Sequence, residues 1–208
     1  MCELSIDDYN KIHNTDLPQD ASAQYLLEFQ REFMNIIQPK VIWLTGLSGA
    51  GKSTIANALI NELEEECVSV YNLDGDKLRS GLCNDLSFSD SDRKENIRRA
   101  AELAKLLVGD GLTVIVSLIS PFKDDRANAK NIIGSHFLEV HVDCDISECE
   151  KRDPKGLYKK YRDGLINNFT GFDSVYERPE NPDIYVNTKE ISVDDCVELI
   201  FNKIKQGV

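Results

Sequence analysis

Residues 46–54 read GLSGAGKST, and no other stretch of the 208-residue chain narrows the possible folds as far. The spacing Gly-x-x-x-x-Gly-Lys-Ser is met at Gly46, Gly51, Lys52 and Ser53. Before it stands the β-rich run VIWLT, residues 41–45, and after it KSTIANALINELEEE, in which Ile55, Ala58, Leu59 and Leu63 recur on one helical face. A strand, a glycine-rich turn and a helix in that order aim backbone N–H groups at phosphate oxygens, at the positive end of the helix. The residues expected to hold a nucleoside triphosphate are Gly46, Leu47, Ser48, Gly49, Ala50, Gly51, Lys52, Ser53 and Thr54. Lys52 is expected to reach the β- and γ-phosphates, and Ser53 to ligate Mg²⁺.

The rest of the chain repeats the alternation. VSVYNLD reads as a second strand, LTVIVSLIS as a third and HFLEVHVD as a fourth; KDDRANAKNII and VDDCVELIFNKI read as helices. Between strands two and three, SDSDRKENIRRAAELAKLLVGDG opens on Ser and Asp and stops at Gly, with Ile97, Ala100, Ala101, Ala104, Leu107 and Val108 along one face. Strands that alternate with helices predict an α/β fold, a parallel sheet covered on both faces. Residues 153–183, DPKGLYKKYRDGLINNFTGFDSVYERPENPD, hold no steady period and read as a functional lid. Residues 1–38 read as a partly helical N-terminal extension, with Leu26, Phe29, Phe33 and Ile36 or Ile37 at helical spacing; residues 39–208 then form one domain.

Charge narrows the partners. Lys and Arg number 24 against 36 Asp and Glu, a net −12. Such a chain repels nucleic acid and anionic membranes, so any phosphate site must be local. The six cysteines, Cys2, Cys67, Cys83, Cys144, Cys149 and Cys196, form no CxxC pair and no His–Cys cluster, which speaks against zinc and against a disulfide framework. The N-terminus lacks the layout of a signal peptide, and no apolar run is long enough to span a bilayer. A cytoplasmic protein is expected.

A base-reading NKxD segment, expected of a GTPase, is missing, and motor and transport ATPases need longer chains. A small kinase remains. The second strand ends in LDGDKLRSGL, which places Asp74 and Asp76 at the carboxyl edge of the sheet, where ligands of open α/β folds bind. Two carboxylates followed by Arg79 suit a site that takes a proton from a hydroxyl, or orders Mg²⁺-bound water, while holding an anionic acceptor.

With GLSGAGKST, LDGDKLRSGLCNDLSFSDSDRKENIRRAAELA, LISPF, RDPKGLYKK and NFTGFDSVYE in order, the chain resembles the adenylylsulfate kinase (APS kinase) family over about residues 39–205. The resemblance implies a P-loop kinase fold with a five-stranded parallel sheet and a mobile lid, ATP and Mg²⁺ as cofactors, and a homodimer. It also implies the transfer of the γ-phosphate of ATP to adenosine 5′-phosphosulfate. By the same resemblance Asp74 is the carboxylate near Mg²⁺ and the ribose 3′-hydroxyl, and Asp76 helps to hold the acceptor. Arg79, Arg93 and Asn96 then clamp the phosphosulfate and its nucleotide, and Phe88 and Phe169 sandwich the acceptor adenine. Ile119 and Ser120 line that pocket, Ser120 aligning with a serine proposed to carry phosphate. Lys155, Gly156 and Leu157 are the substrate-contacting part of the lid, and Arg152 lies against the ATP adenine.

The chain departs from the family pattern at Ser80, where histidine is common, Lys123 for arginine, Asn167 for lysine, and Phe172 for isoleucine. These departures leave open a related kinase that phosphorylates another modified nucleotide, such as a cytidine diphosphoramidate in a surface-polysaccharide pathway. A silent nucleotide-binding module is a third reading, and the intact Lys52, Ser53 and Asp74 speak against it.

Overall fold

The computed structural model describes residues 37–205. Of the proposed N-terminal extension, residues 1–36, with Leu26, Phe29 and Phe33, lie outside the described residues. Five strands, β1 (Val41–Thr45), β2 (Val70–Asp74), β3 (Thr113–Ser117), β4 (Phe137–Asp143) and β5 (Ile184–Asn187), form one sheet in the order β2-β3-β1-β4-β5. Every neighbouring pair is parallel. β1 and β3 are buried at every position, as continuous apolar runs must be when both faces are covered. β2, at one edge, leaves Tyr71 exposed.

The connecting helices are α1 (Lys52–Glu65), α2 (Gly75–Ser80), α3 (Asp90–Gly109), α4 (Lys123–Ile133), α5 (Ile146–Arg152), α6 (Leu157–Arg162) and α7 (Val193–Lys205). α3 starts where the Ser89 hydroxyl accepts the Asp92 N–H at 3.2 Å. α7 starts on a reciprocal pair: Asp195 N–H donates to the Ser192 hydroxyl at 3.1 Å, and Ser192 N–H to the Asp195 carboxylate at 3.2 Å. Ala100, Ala101 and Ala104 have no bulk to hold α3 off the sheet, and they pack in one core with Trp43, Val114 and Val116. α3 pairs with α4, and α1 with α7. Among the described residues, no helix is long and apolar enough to cross a membrane.

The register brings the carboxyl ends of the strands to one edge, with Asp74 beside Ser117 and Leu44 beside Ser117. From central β1 the chain leaves first toward β2 and later toward β4 on the other side. The crevice this reversal opens is where an α/β sheet receives its ligand.

Candidate active site

The glycine-rich loop leaves β1 at a point where only glycine fits. A Cβ on Gly46 would lie 2.2 Å from the Val142 carbonyl oxygen of β4. The Lys52 amine folds back and donates to the carbonyls of Gly46 and Leu47, each at 2.8 Å. Burial lowers that amine to about 8; nearby Lys155 pushes the same way, while Asp74 and Asp76 oppose it. From the far edge of the sheet, the Thr188 hydroxyl donates to the Ala50 carbonyl at 2.8 Å and accepts from Arg152 Nη1 at 2.9 Å. Arg152 is thereby held against the loop rather than left to solvent.

Asp74 divides its carboxylate between two tasks. Oδ1 accepts the Asp76 N–H at 2.9 Å and caps α2. Oδ2 faces the Ser53 hydroxyl at 3.3 Å. The helix-capping and catalytic readings of this residue are therefore compatible. Two protein oxygens so placed, beside a phosphate-binding loop, suit Mg²⁺, which takes few protein ligands and completes its shell with phosphate oxygens and water. Among the described residues no group of three or more His, Cys, Asp or Glu could hold a metal by itself.

Beyond Asp74 the acceptor candidates converge. Arg79 lies over the Phe88 ring, 4.3 Å from its centroid, and donates to the Ser87 carbonyl at 2.9 Å. Phe88 itself is 60% exposed at the rim. Asn96 is buried, and its Oδ1 has no partner; such a group is costly to leave unpaired and is available to a ligand donor. Arg93 donates from Nε to the Phe88 carbonyl at 3.0 Å, and its two terminal nitrogens donate to the Thr170 hydroxyl and the Asn168 carbonyl. It thus ties the lid to α3. Ser120 is only 2% exposed, adopts φ +47°, and accepts the Trp43 indole N–H on its hydroxyl at 2.9 Å.

Residues 153–183, the expected lid, have more internal order than their sequence implies. Asp153 caps α6 by accepting from Tyr158 N–H at 3.1 Å and Lys159 N–H at 3.0 Å. Tyr158 donates to the Ser48 carbonyl at 2.8 Å, which anchors the lid on the phosphate loop. Phe172 stacks on Tyr161 at 4.9 Å and Phe169 meets Tyr158 edge-on at 4.9 Å, a small aromatic core within the lid. Lys155 pairs with Asp76 across the cleft.

Lys52, Ser53, Asp74, Asp76, Arg79, Arg93, Asn96, Ser120, Arg152 and Lys155 border one cavity of about 910 Å³. Its walls include Ser48, Gly49, Gly51, Lys52, Ser53 and Thr54 at the phosphate-loop end, and Arg79, Phe88, Asn96, Ile119 and Phe169 beyond Asp74. Of the sequence-predicted residues, Gly46, Leu47, Ala50 and Gly156 do not border it; the carbonyls of the first three instead hold Lys52 and Thr188.

A sequence model of the family described as adenylylsulphate kinase matches residues 38–187. The chain belongs to the adenylylsulphate kinase family. It is 56% identical over 169 residues to the adenylyl-sulfate kinase of Pseudomonas aeruginosa, covering 81% of this chain and 86% of that one. To the adenylyl-sulfate kinase of Clostridium acetobutylicum it is 52% identical over 176 residues, 85% of this chain and 88% of that one. Its fold matches the Mycobacterium tuberculosis APS kinase CysC, solved in complex with AMPPNP and APS, with a TM-score of 0.78 and 44% identity over 82% of this chain and 99% of that one.

Set within this kinase family, the four departures separate by position. Ser80 bonds back to the Lys77 carbonyl, Lys123 pairs with Glu180, and neither borders the cavity. Phe172 belongs to the aromatic core of the lid. Asn167 alone of the four lies on the cavity wall. Sequence reasoning missed Thr188, Ile191, Val193 and Cys196, which border the cavity from the connection after β5 and the first turn of α7. No motif marks them, because only the closing of the sheet by β5 brings them near the loop. The cysteines of the described residues are free thiols, and burial pushes that of Cys149 up to about 12.

Proposed function

We propose that the chain transfers the γ-phosphate of MgATP to the ribose 3′-hydroxyl of adenosine 5′-phosphosulfate, giving ADP and 3′-phosphoadenosine 5′-phosphosulfate. The observation that carries this reading is the single cavity running from Lys52 and Ser53, past Asp74, to Arg79, Phe88, Asn96 and Phe169. At about 910 Å³ it lies at the upper end of ligand pockets, roughly 300–1,000 Å³, and joins a triphosphate site to an acceptor site.

Each residue has a part that its position supports. Loop N–H groups and Lys52 hold the β- and γ-phosphates, and Arg152 lies by the ATP adenine. Ser53, and Asp74 through bound water, would hold Mg²⁺, which when bound would neutralise charge on the phosphates. Asp74 Oδ2 receives the 3′-hydroxyl proton, Arg79, Asn96 and Lys155 hold the anionic acceptor, and Phe88 and Phe169 flank its base. The lid covers the reacting groups and keeps water from the γ-phosphate. Transfer is direct: the Ser120 hydroxyl is engaged by Trp43, and in-line transfer between bound nucleotides needs positioning more than a relay.

The test is ADP release with MgATP and adenosine 5′-phosphosulfate, run beside cytidine, uridine and guanosine diphosphate derivatives. Turnover confined to adenosine phosphosulfate is the expected result. Preference for another nucleotide would overturn the acceptor half and direct attention to Asn167. Light scattering in solution tests the homodimer that goes with this reading.

A further inference from the structure

We infer that Arg126 is a positioning residue that locks the lid to the acceptor wall, so that closing the lid and shaping the acceptor pocket are one event. The inference rests on the acceptor assignment above. Arg126 lies in the first turn of α4 and is 4% exposed. Its Nη1 donates to the Ser120 carbonyl at 2.7 Å and its Nη2 to the Glu177 carbonyl at 2.8 Å. The first carbonyl belongs to the cavity wall after β3; the second belongs to the returning limb of the lid.

Both ends of this bridge need holding. Ser120 sits in the left-handed region at φ +47°, where a residue with a side chain persists only if its surroundings fix it. Trp43 on its hydroxyl and Arg126 on its carbonyl supply that. On the lid side, Glu177 N–H donates to the Pro121 carbonyl at 2.8 Å, and its carboxylate accepts the Lys123 N–H at 2.7 Å. Phe122, at the N-cap of α4, offers no side-chain cap, so the lid residue caps that helix. The Tyr176 hydroxyl meets the Thr45 hydroxyl at 3.1 Å.

Arg126's third contact is an ion pair, Nε to Glu139 Oε1 at 2.9 Å, in which the N–H does not point squarely at the oxygen. A buried ion pair is weak evidence for stability. What a guanidinium offers here is shape: one rigid fork serves two carbonyls and still faces Glu139, which a lysine amine cannot do. The ATP-side groups, Gly49, Ser53, Arg152 and Thr188, have no bond to Arg126.

The experiment compares the wild type with Arg126→Lys, which keeps the charge beside Glu139 but cannot span both carbonyls. An Arg126→Met/Glu139→Met double variant leaves no lone buried charge and serves if the single variant fails to fold. Expected is an acceptor KM raised about tenfold or more, with the ATP KM within about twofold. Wild-type acceptor KM in Arg126→Lys, or equal rises in both KM values, would overturn the inference and leave Arg126 as a charge partner only. If the wild type does not turn over adenosine phosphosulfate, the functional reading fails by itself. Trp43, the single tryptophan, then reports on the Ser120 wall. Altered Trp43 emission with faster proteolysis within 153–183 upholds the bridge; an unchanged emission and cleavage rate overturns it.

Discussion

At the scale of one side chain, Lys52 is a cation screened from water and propped on two loop carbonyls, a state that a bound polyphosphate would relieve. Lys52→Ala is expected to lower kcat/KM about a thousandfold or more while circular dichroism and the thermal midpoint persist. The amine, lowered by burial to about 8, also sets a pH dependence. Its charged form is disfavoured in the free enzyme and favoured by phosphate, so ATP binding takes up a proton above that value. kcat/KM for ATP should therefore be flat below about pH 8 and fall as pH rises, about tenfold per unit, with kcat level to higher pH. A profile flat to pH 10 would separate Lys52 from ATP binding. Ser120→Ala loses the Trp43 hydrogen bond, about 1 kcal/mol, yet should keep turnover within about tenfold. Near-complete loss with both substrates still bound would restore a phosphoserine route. The place of Lys52 in the glycine-rich loop was legible in the sequence; the engagement of the Ser120 hydroxyl was not, because its partner lies 77 residues away.

At the scale of elements, the short helix α2 depends on Asp74 for its start. Asn caps as well as Asp, so Asp74→Asn is expected to keep the thermal midpoint within about 2 °C. It removes the negative charge needed at Oδ2, and turnover should fall about a hundredfold or more. Asp74→Ala loses both functions and about 1 kcal/mol of stability, or about 3 °C. Equal loss of stability in both variants would mean that the cap is not what holds α2. The longer helices were readable, since α3 carries its Ser89 cap and its alanine face openly in the sequence. α2, α5 and α6 were not, because six or seven residues are too few for a period. β5, four residues long, announces itself only by pairing with β4.

At the scale of the molecule, a net charge of −12 coexists with a site for two anionic nucleotides because the cationic groups, Lys52, Arg79, Arg93, Arg152 and Lys155, are gathered on one cavity. Every described residue on that cavity lies between Ser48 and Cys196. A chain begun at Gln38 is accordingly expected to retain phosphoryl transfer, measured by ADP release; inactivity of the folded truncation would assign residues 1–37 a part in the reaction. By itself the sequence determined the α/β architecture, the phosphate loop and the placement of Asp74 at the carboxyl edge of the sheet. Those follow from local periodicity and from backbone conformations that few residues permit. Only the tertiary structure decided that Arg93 bonds the Asn168 carbonyl to α3, that Thr188 braces the loop, and that Arg126 bridges the carbonyls of Ser120 and Glu177. The contacts with Asn168, Ala50 and Glu177 each span 50 residues or more. An arginine or threonine carries no local sign of a partner that chain folding alone brings within hydrogen-bonding distance.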